Sequence, residues 1–337
     1  MKAVAIRSPA GLDHLEVCNL PDPGVPGPGQ IRVAIHATSL NFHDLLVANG
    51  SSPTADGRVP MADAGGVVEA VGEGVVEFQA GDAVVSCFFP QWRDGQPSAG
   101  VTHFRETPGD GIDGFACEHV IRPASAFTLA PRGWSHAEAA TITTAGLTAW
   151  RALVVDGALK AGERVLLLGT GGVSIAALQI AKAMGAEVVL TSSSDEKLER
   201  AARLGADHVI NYKQTPEWGR KVLELTGGHG VDHVVEVGGP GTLAQSVAAV
   251  SPGGHIALIG VLTGWEGVVP TAQLMVKQAR IQGLIVGNRR QQQDYVAALE
   301  RTGIRPVIDH SFGLEELADA FRLQQAGRHF GKIVVEW

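Results

Sequence analysis

Between residues 164 and 287, short apolar runs alternate with longer segments in which apolar residues recur at helical spacing. The apolar runs occupy residues 164–168, 187–191, 208–211, 231–237, 255–260 and 281–287. They are rich in Val, Ile and Leu, without the in-out alternation of a strand that has one face in water. Such strands are typical of a parallel sheet covered by helices on both faces, so this series predicts a doubly wound α/β sheet.

The rest of the chain follows a different pattern. Short strand-like runs separated by Gly- and Pro-rich turns lie at residues 32–37, 67–71 and 82–85. After residue 287, we expect helices at 294–302 and 314–326 and a last strand at 331–337. We therefore predict two domains, a β-rich one from residues 1–134 and 288–337 and a doubly wound one from residues 135–287.

Residues 88–114 show no periodicity and are dense in Gly and Pro, which predicts a long loop. The loop carries Phe88, Phe89, Trp92 and Phe104. Two interpretations remain open, a surface loop with its aromatic side chains packed inward or a lid on the substrate side.

Composition narrows the possible functions. The 337 residues carry a formal net charge of −8 and contain no run of basic residues. The sequence therefore does not predict a basic surface that would bind nucleic acids or anionic membranes. Residues 1–6 are strand-like rather than a signal peptide, and no apolar stretch reaches the ~18–20 residues of a membrane span. The three scattered cysteines, Cys18, Cys87 and Cys117, fit reduced thiols in the cytoplasm better than a disulfide framework.

A glycine-rich turn follows the first strand of the doubly wound region. Residues 169–174 read GTGGVS and lie between an apolar strand and a helix. Glycine at this point allows a tight turn and lets main-chain N–H groups approach a pyrophosphate at the helix N-terminus. We predict a Rossmann dinucleotide site, with main-chain contacts from Thr170, Gly171, Gly172 and Val173.

The end of the second strand favours NADPH over NADH. An NAD site usually has a carboxylate here for the ribose hydroxyls. Residues 192–194 are instead three serines, and Lys197 follows, which suits a 2′-phosphate. Asp195 comes a few residues too late for the ribose, and Ser193 with Glu196 also fits a helix capping box.

Five motifs resemble those of the medium-chain dehydrogenase/reductase superfamily, over essentially the whole chain. They are residues 39–44 (SLNFHD), 65–75 (GGVVEAVGEGV), 145–150 (AGLTAW), 204–212 (LGADHVINY) and 331–334 (GKIV). Within the superfamily, the chain resembles the zinc-independent quinone oxidoreductases. The resemblance implies a GroES-like catalytic domain interrupted by a Rossmann domain, an active site in the cleft between them, a small-molecule substrate, and a homodimer or a pair of dimers.

The resemblance also implies cofactor contacts. Residues matching those that bind the 2′-phosphate are Ser192, Ser193, Lys197 and Tyr212. Residues matching the nicotinamide side are Gly260, Val261, Ile285 and Val286.

Zinc-dependent relatives hold a catalytic metal through Cys, His and a second Cys. The matching positions here are Asn41, Ala62 and Thr144, with Asp63 beside them. Since alanine supplies no donor atom and one carboxylate makes no site, we predict no bound zinc. The structural four-cysteine lobe would fall at residues 87–117, where only two separated cysteines occur.

A zinc-free site suits hydride addition to a quinone or an α,β-unsaturated carbonyl, which spreads the incoming charge. We expect Asn41 and Thr144 to donate hydrogen bonds, although the Thr144 hydroxyl would equally suit a bond within its own helix. His43 is a candidate proton relay or an interface residue, and Asp44 is expected to orient neighbours. Phe42 replaces a tyrosine common at this position, so solvent becomes the proton source.

Two alternatives remain. One is a zinc-free alcohol dehydrogenase or ketone reductase that uses Thr144 and His43. The other is a non-catalytic NADPH-binding protein.

Overall fold

The computed structural model describes residues 1–99 and 101–337, in which the chain forms two compact units. The first unit comprises Met1–Leu147 and Val286–Trp337, and the second comprises Thr148–Ile285. Gly100, in the predicted loop 88–114, lies outside the described residues.

The first unit is rich in β-strands. Its strands are β1 (Lys2–Ile6), β2 (Leu15–Asn19), β3 (Gln30–Ser39), β4 (Gly65–Val71), β5 (Ala83–Ser86), β6 (His119–Pro123) and β7 (Phe127–Leu129). Its first helices are α1 (Phe42–Ala48) and α2 (His136–Ala140), and α3 (Leu147–Trp150) crosses into the second unit.

The second unit alternates strands and helices. Its strands are β8 (Arg164–Leu168), β9 (Glu187–Ser192), β10 (His208–Asn211), β11 (Val231–Glu236), β12 (Val250–Leu258) and β13 (Arg280–Gly283). Its helices are α4 (Gly172–Ala183), α5 (Asp195–Arg203), α6 (Trp218–Leu225), α7 (Pro240–Ala249) and α8 (Thr271–Lys277). The chain then returns to the first unit through α9 (Arg289–Thr302), β14 (Ile308–Gly313), α10 (Leu317–Gln325) and β15 (Lys332–Glu336).

The sheet of the second unit is parallel throughout, in the order β10-β9-β8-β11-β12-β13. Its central strands are apolar on both faces; Val165, Leu166 and Leu167 are all fully buried. The order of strands reverses at β8, which is the doubly wound arrangement. The predicted α/β fold is confirmed, with β12 starting five residues earlier than the apolar pattern indicated.

In the first unit, strands from both ends of the chain share a sheet. Among the described residues, its order is β14-β15-β3-β4-β5-β7, with β6 paired to β3. β15 runs antiparallel to β3, with Val334 opposite Ser39. This register brings the start of β15 beside the residues that follow β3.

The predicted domain boundary, after residue 134, and the unit boundary, after Leu147, differ by the helical stretch at 136–147. In α2, Ala137 and Ala140 pack against Ala37 and Val334 of the first sheet. A Cβ on Gly65 would lie 2.1 Å from the His136 carbonyl oxygen, so helix and strand are in close contact. The stretch therefore packs with the β-rich unit.

The predicted loop at 88–114 contains one short helical turn, Val101–His103, and an isolated bridge between Pro108 and Ile112. Phe88, Phe89 and Trp92 are buried, and Phe88 and Phe89 meet edge to face with ring centroids 4.7 Å apart. In the described part of the chain, no helix is long and apolar enough to span a membrane.

Candidate functional site

The turn after β8 has the geometry of an anion-binding site. Gly169 adopts a φ of +75°, which favours glycine, and Gly171 begins α4 without a side-chain cap. A Cβ on Gly171 would meet no protein atom within 4 Å, so open space lies beside the helix start. The first N–H groups of α4 therefore have no side-chain cap and suit a pyrophosphate.

Ser174 stands where the third glycine of such turns usually lies. It is buried, and its hydroxyl donates to the Leu168 carbonyl oxygen at 2.6 Å. The small side chain thus keeps α4 close to β8.

At the end of β9, the capping prediction is wrong by one residue. Ser194, not Ser193, caps α5, and its hydroxyl accepts from the Lys197 N–H at 3.3 Å. The reason is that β9 continues to Ser192, so the helix starts one residue later than expected. The Ser193 hydroxyl has no protein partner in the described part of the chain and is half-buried.

The carboxylate of Asp195 is occupied by two side-chain amides. It accepts from Asn211 Nδ2 at 2.6 Å and from Gln214 Nε2 at 3.0 Å. The neighbouring Tyr212 is exposed, and its N–H donates to the Ser192 carbonyl oxygen at 3.0 Å. Two of the four residues expected at the 2′-phosphate, Ser192 and Tyr212, are therefore neighbours through the β9–β10 pairing.

The remaining predicted cofactor residues lie after β12 and β13. Gly260 is required by close packing, because a Cβ there would lie 1.9 Å from the Val237 carbonyl oxygen. Ile285 is exposed and ends the second unit, whereas Val286 is buried, with a φ of +47°, and begins the return to the first. Positive φ in a valine is strained, and such strain is often found at ligand sites.

Sequence analysis missed Glu236 at the end of β11. Its buried carboxylate accepts from the N–H groups of Gly238 (2.8 Å) and Gly239 (3.0 Å). It also accepts from the hydroxyls of Thr242 and Ser246. The four bonds fix the turn that Gly260 packs against.

In the first unit, two of the three positions that match zinc ligands bond to a shared carboxylate. Asp63 is fully buried and accepts from Asn41 Nδ2 at 2.8 Å and from the Thr144 hydroxyl at 2.6 Å. Ser39 donates to the same carboxylate at 2.5 Å. The alternative that Thr144 is satisfied within its own helix is wrong; it lies in a π-helical turn, Ile142–Gly146, and bonds to Asp63.

Asn41 differs from its expected role as a donor to substrate. Besides Asp63, its Nδ2 lies 3.1 Å from Asp44 Oδ2 and 3.2 Å from the Ser39 carbonyl oxygen. An amide nitrogen has two hydrogens, and three protein acceptors already surround this one. Asn41 is therefore not available to donate to a product oxygen.

Lys332 belongs to the GKIV motif, for which the sequence predicted no role, and its side chain lies beside Asn41 and Asp63. Its ammonium donates to Asn41 Oδ1 and to the Leu40 carbonyl oxygen, both at 2.6 Å, and lies 3.7 Å from Asp63 Oδ2. Burial lowers the pKa of Lys332. We call Asn41, Asp44, Asp63, Thr144 and Lys332 the buried polar cluster.

Asp44 connects the cluster to the main chain. It accepts from the Asn41 N–H at 3.0 Å and the Ala62 N–H at 2.9 Å. Burial and the nearby Asp63 raise the pKa of Asp44 to about 6. The residue before Ala62, Met61, is buried with a φ of +81°, a strained conformation that turns this segment toward Asp44.

His43 lies on the other side of α1, against the loop at 88–114. Its Nε2 is 3.2 Å from Asp110 Oδ2, and its ring packs against Phe88 and Phe104 with centroids 5.4 and 4.9 Å apart. The imidazole is 21% exposed as a whole, but its Nε2 is buried against the loop.

These donors do not fit a zinc ion. The three matched positions offer an amide, a methyl group and a hydroxyl, and tetrahedral zinc requires thiolate, imidazole or carboxylate ligands. Within residues 1–99 and 101–337, no group of three or more His, Cys, Asp and Glu residues could hold a metal.

Two family models match the chain. The alcohol dehydrogenase GroES-like domain matches residues 27–132, and the zinc-binding dehydrogenase model matches residues 172–302. A zinc-type alcohol dehydrogenase-like protein of Schizosaccharomyces pombe is 41% identical over 97% of this chain and 96% of its own. Mycobacterial polyketide synthases also match, but over only 15% of their length.

Solved structures agree. A candidate alcohol dehydrogenase from Sinorhizobium meliloti is 44% identical, with a TM-score of 0.93 over 100% of this chain and 98% of that one. An NAD-dependent alcohol dehydrogenase is 35% identical over the whole of both chains, with a TM-score of 0.90. A quinone oxidoreductase from Pseudomonas syringae is 28% identical, with a TM-score of 0.83 over 100% of this chain and 99% of that one. The chain belongs to the medium-chain dehydrogenase/reductase superfamily and is an alcohol dehydrogenase-like oxidoreductase with a GroES-like and a Rossmann-like domain.

Proposed function

We propose that this oxidoreductase uses NADPH to reduce a quinone or an α,β-unsaturated carbonyl compound without zinc. The observation that carries the proposal is the buried polar cluster, in which amide, hydroxyl and ammonium donors already bond to protein oxygens. A site whose strong donors are occupied suits an acceptor that delocalises the incoming negative charge itself. In this proposal the first unit is the catalytic domain, and the second unit binds the cofactor.

The cofactor would be held by the second unit. The main chain at Thr170–Val173 would bind the pyrophosphate, because α4 starts there with uncapped N–H groups beside open space. The 2′-phosphate would be bound by Ser192, Ser193, Lys197 and Tyr212, and the nicotinamide would lie near Gly260, Val261, Ile285 and Val286. When bound, NADPH supplies the reducing hydride.

Two features support NADPH over NADH. The Ser193 hydroxyl is not used as a helix cap, since Ser194 serves instead. Residues 191–197 contain two acidic side chains, Asp195 and Glu196. The Asp195 carboxylate already accepts hydrogen bonds from the side chains of Asn211 and Gln214. The solved structure that is 35% identical is that of an NAD-dependent alcohol dehydrogenase, so the test compares both cofactors.

In the first unit, His43 is the side chain best placed to deliver a proton. Its ring is partly exposed, and its Nε2 lies 3.2 Å from Asp110 Oδ2. Asp44 orients the site by holding the Asn41 and Ala62 N–H groups. Thr144 presents its oxygen lone pairs, because its hydrogen is directed to Asp63.

The test is NADPH and NADH oxidation with a quinone, an enone and a ketone. We expect a lower KM for NADPH and turnover with the quinone or enone. A reversed KM ratio would refute the cofactor proposal. Tight NADPH binding without turnover of any acceptor would favour a non-catalytic NADPH-binding protein.

A second candidate, alcohol oxidation with ketone reduction as its reverse, is favoured by the Thr144–Asp63 hydrogen bond. An alcohol that donates to Thr144 Oγ1 would lose its hydroxyl proton through Thr144 to Asp63, and bound NADP⁺ would accept the hydride from its carbon. T144V should then lower ketone and alcohol turnover by about 100-fold or more, with T144S as the control that keeps the hydroxyl. Under the first proposal, T144V lowers quinone turnover by about 10-fold, because Thr144 then contacts the acceptor without taking up a proton from it.

We also propose that the chain acts as a homodimer or a pair of dimers, in the cytoplasm. Among the described residues β13 is an edge strand of the second sheet, and the segment before it exposes Trp265 (73%), Val268 (85%) and Met275 (72%). An apolar surface beside a free strand edge is typical of an interface. Reduced thiols fit the compartment: burial raises the pKa of Cys87 and Cys117 to about 12, so both remain unreactive thiols.

A further inference from the structure

Lys332 is the cation of the buried polar cluster in the first unit. It is only 5% exposed, and two acidic side chains, Asp44 and Asp63, are buried in the same cluster. Transferring an ammonium group into a protein interior is unfavourable unless it is paired and hydrogen-bonded. A lysine retained there points to a role for its charge.

The contacts show what the ammonium does. It donates to Asn41 Oδ1 and the Leu40 carbonyl oxygen, both at 2.6 Å. Because Lys332 holds the oxygen of the Asn41 amide, the nitrogen of that amide must face the carboxylates, where it lies 2.8 Å from Asp63 Oδ2. Lys332 therefore fixes which way Asn41 is oriented.

The same charge acts on Asp63. Lys332 Nζ lies 3.7 Å from Asp63 Oδ2, and the other oxygen, Oδ1, accepts from Thr144 at 2.6 Å. Lys332 therefore lies beside one oxygen of the Asp63 carboxylate, while the Thr144 hydroxyl donates to the other oxygen. These two contacts together fix the orientation of the carboxylate and, through it, that of the Thr144 hydroxyl.

We propose that Lys332 is a positioning residue that orients Asn41, Asp63 and Thr144 at the positions where zinc-dependent relatives hold a metal. This role of Lys332 rests on the proposed function in one respect, namely that the buried polar cluster belongs to the active site. The backbone explains how a C-terminal residue reaches the cluster: Leu40 N–H donates to the Ile333 carbonyl oxygen at 3.0 Å, where β15 meets β3.

The experiment compares K332M, which keeps the length of the side chain without its charge, with K332R. The control is K277M, because Lys277 also donates to two main-chain carbonyl oxygens, those of Ala248 and Val250, but has no salt bridge to a carboxylate among the described residues. We expect K332M to lower kcat by about 10- to 100-fold, because a displacement of about 1 Å among the groups around the reacting atoms can have an effect of that size. KM for NADPH should not change, K332R should recover part of kcat, and K277M should leave kcat unchanged.

A second measurement does not depend on turnover. If Lys332 and Asp63 are a charge pair, K332M lowers the unfolding midpoint in urea, and adding D63N to K332M restores part of the loss. In K332A, methylammonium should raise the midpoint and kcat in a saturable way, whereas methanol should do neither.

The outcomes are distinct. Additive losses in K332M and D63N, with no methylammonium effect in K332A, would overturn the positioning role even if the wild type reduces quinones. A wild type that turns over no acceptor, combined with non-additive stability and methylammonium binding, would refute the proposed function and leave the role of Lys332 standing.

Discussion

His255 makes a specific prediction about stability and pH. It lies on β12 opposite His233 of β11, with ring centroids 6.2 Å apart, and is 4% exposed. Both of its ring nitrogens are buried without a hydrogen-bond partner among the described residues. Burial, with smaller effects from Arg280 and His233, lowers the pKa of His255 from 6.5 to about 4.

Because the pKa of His255 is lowered in the folded protein, acid destabilises the fold. The folded protein binds a proton at His255 less readily than the unfolded chain, so the stabilising contribution is complete above pH 6.5. It decreases as pH falls from 6.5 toward 4. Each pKa unit corresponds to about 1.4 kcal/mol, so the full effect is about 3.5 kcal/mol, of which about 2 kcal/mol is lost by pH 5.

The assay is urea unfolding at pH 8 and at pH 5, with circular dichroism and tryptophan fluorescence as the recorded signals. H255L removes the titrating group in an apolar setting and should lose about 2 kcal/mol less than the wild type between these two pH values. H229L alters an exposed histidine and is the control. If H255L and the wild type lose the same stability between pH 8 and pH 5, the assignment of this acid sensitivity to His255 is wrong.

Three further predictions concern the cofactor and the proposed interface. G171A should raise the KM for NADPH by at least about tenfold. It should lower the free energy of unfolding by no more than about 1 kcal/mol, because the added Cβ meets no protein atom. The control is G11A, whose added Cβ makes one ordinary contact and should change neither quantity. K197A should raise the KM for NADPH by about tenfold and leave that for NADH unchanged, and equal effects on both would argue against a 2′-phosphate contact. A charged pair of substitutions, W265D with M275E, should convert a dimer to a monomer in light scattering, and an unchanged mass would place the interface elsewhere.

The doubly wound sheet was predictable because its signal is local. A strand buried on both faces, such as β8, must be apolar over most of its length, and the helices α4 and α5 are followed by Gly185 and Gly205, both with positive φ. The start of β12 was not predictable, since Ser251, Pro252 and Gly253 break the apolar pattern although they continue the strand.

The buried polar cluster was only partly predictable. Asn41 and Asp44 were found in a motif, and Thr144 was found as a position that matches a zinc ligand of the relatives. Their partners were not predictable, because Lys332 and Asn41 are 291 residues apart in the sequence. This contact forms because β15 pairs with β3. The pattern of apolar residues within each strand does not indicate which strands become neighbours. For the same reason Asp63 was recognised as a lone carboxylate and not as the shared acceptor of three side chains.

A zinc-free, NADPH-dependent site is tested most directly by one measurement on dialysed protein. Zinc content and NADPH oxidation with a quinone are recorded on the same sample, before and after treatment with a strong chelator. We predict no stoichiometric zinc and equal turnover before and after chelation. One tightly bound zinc per chain, whose removal abolishes turnover and whose return restores it, would contradict the proposal.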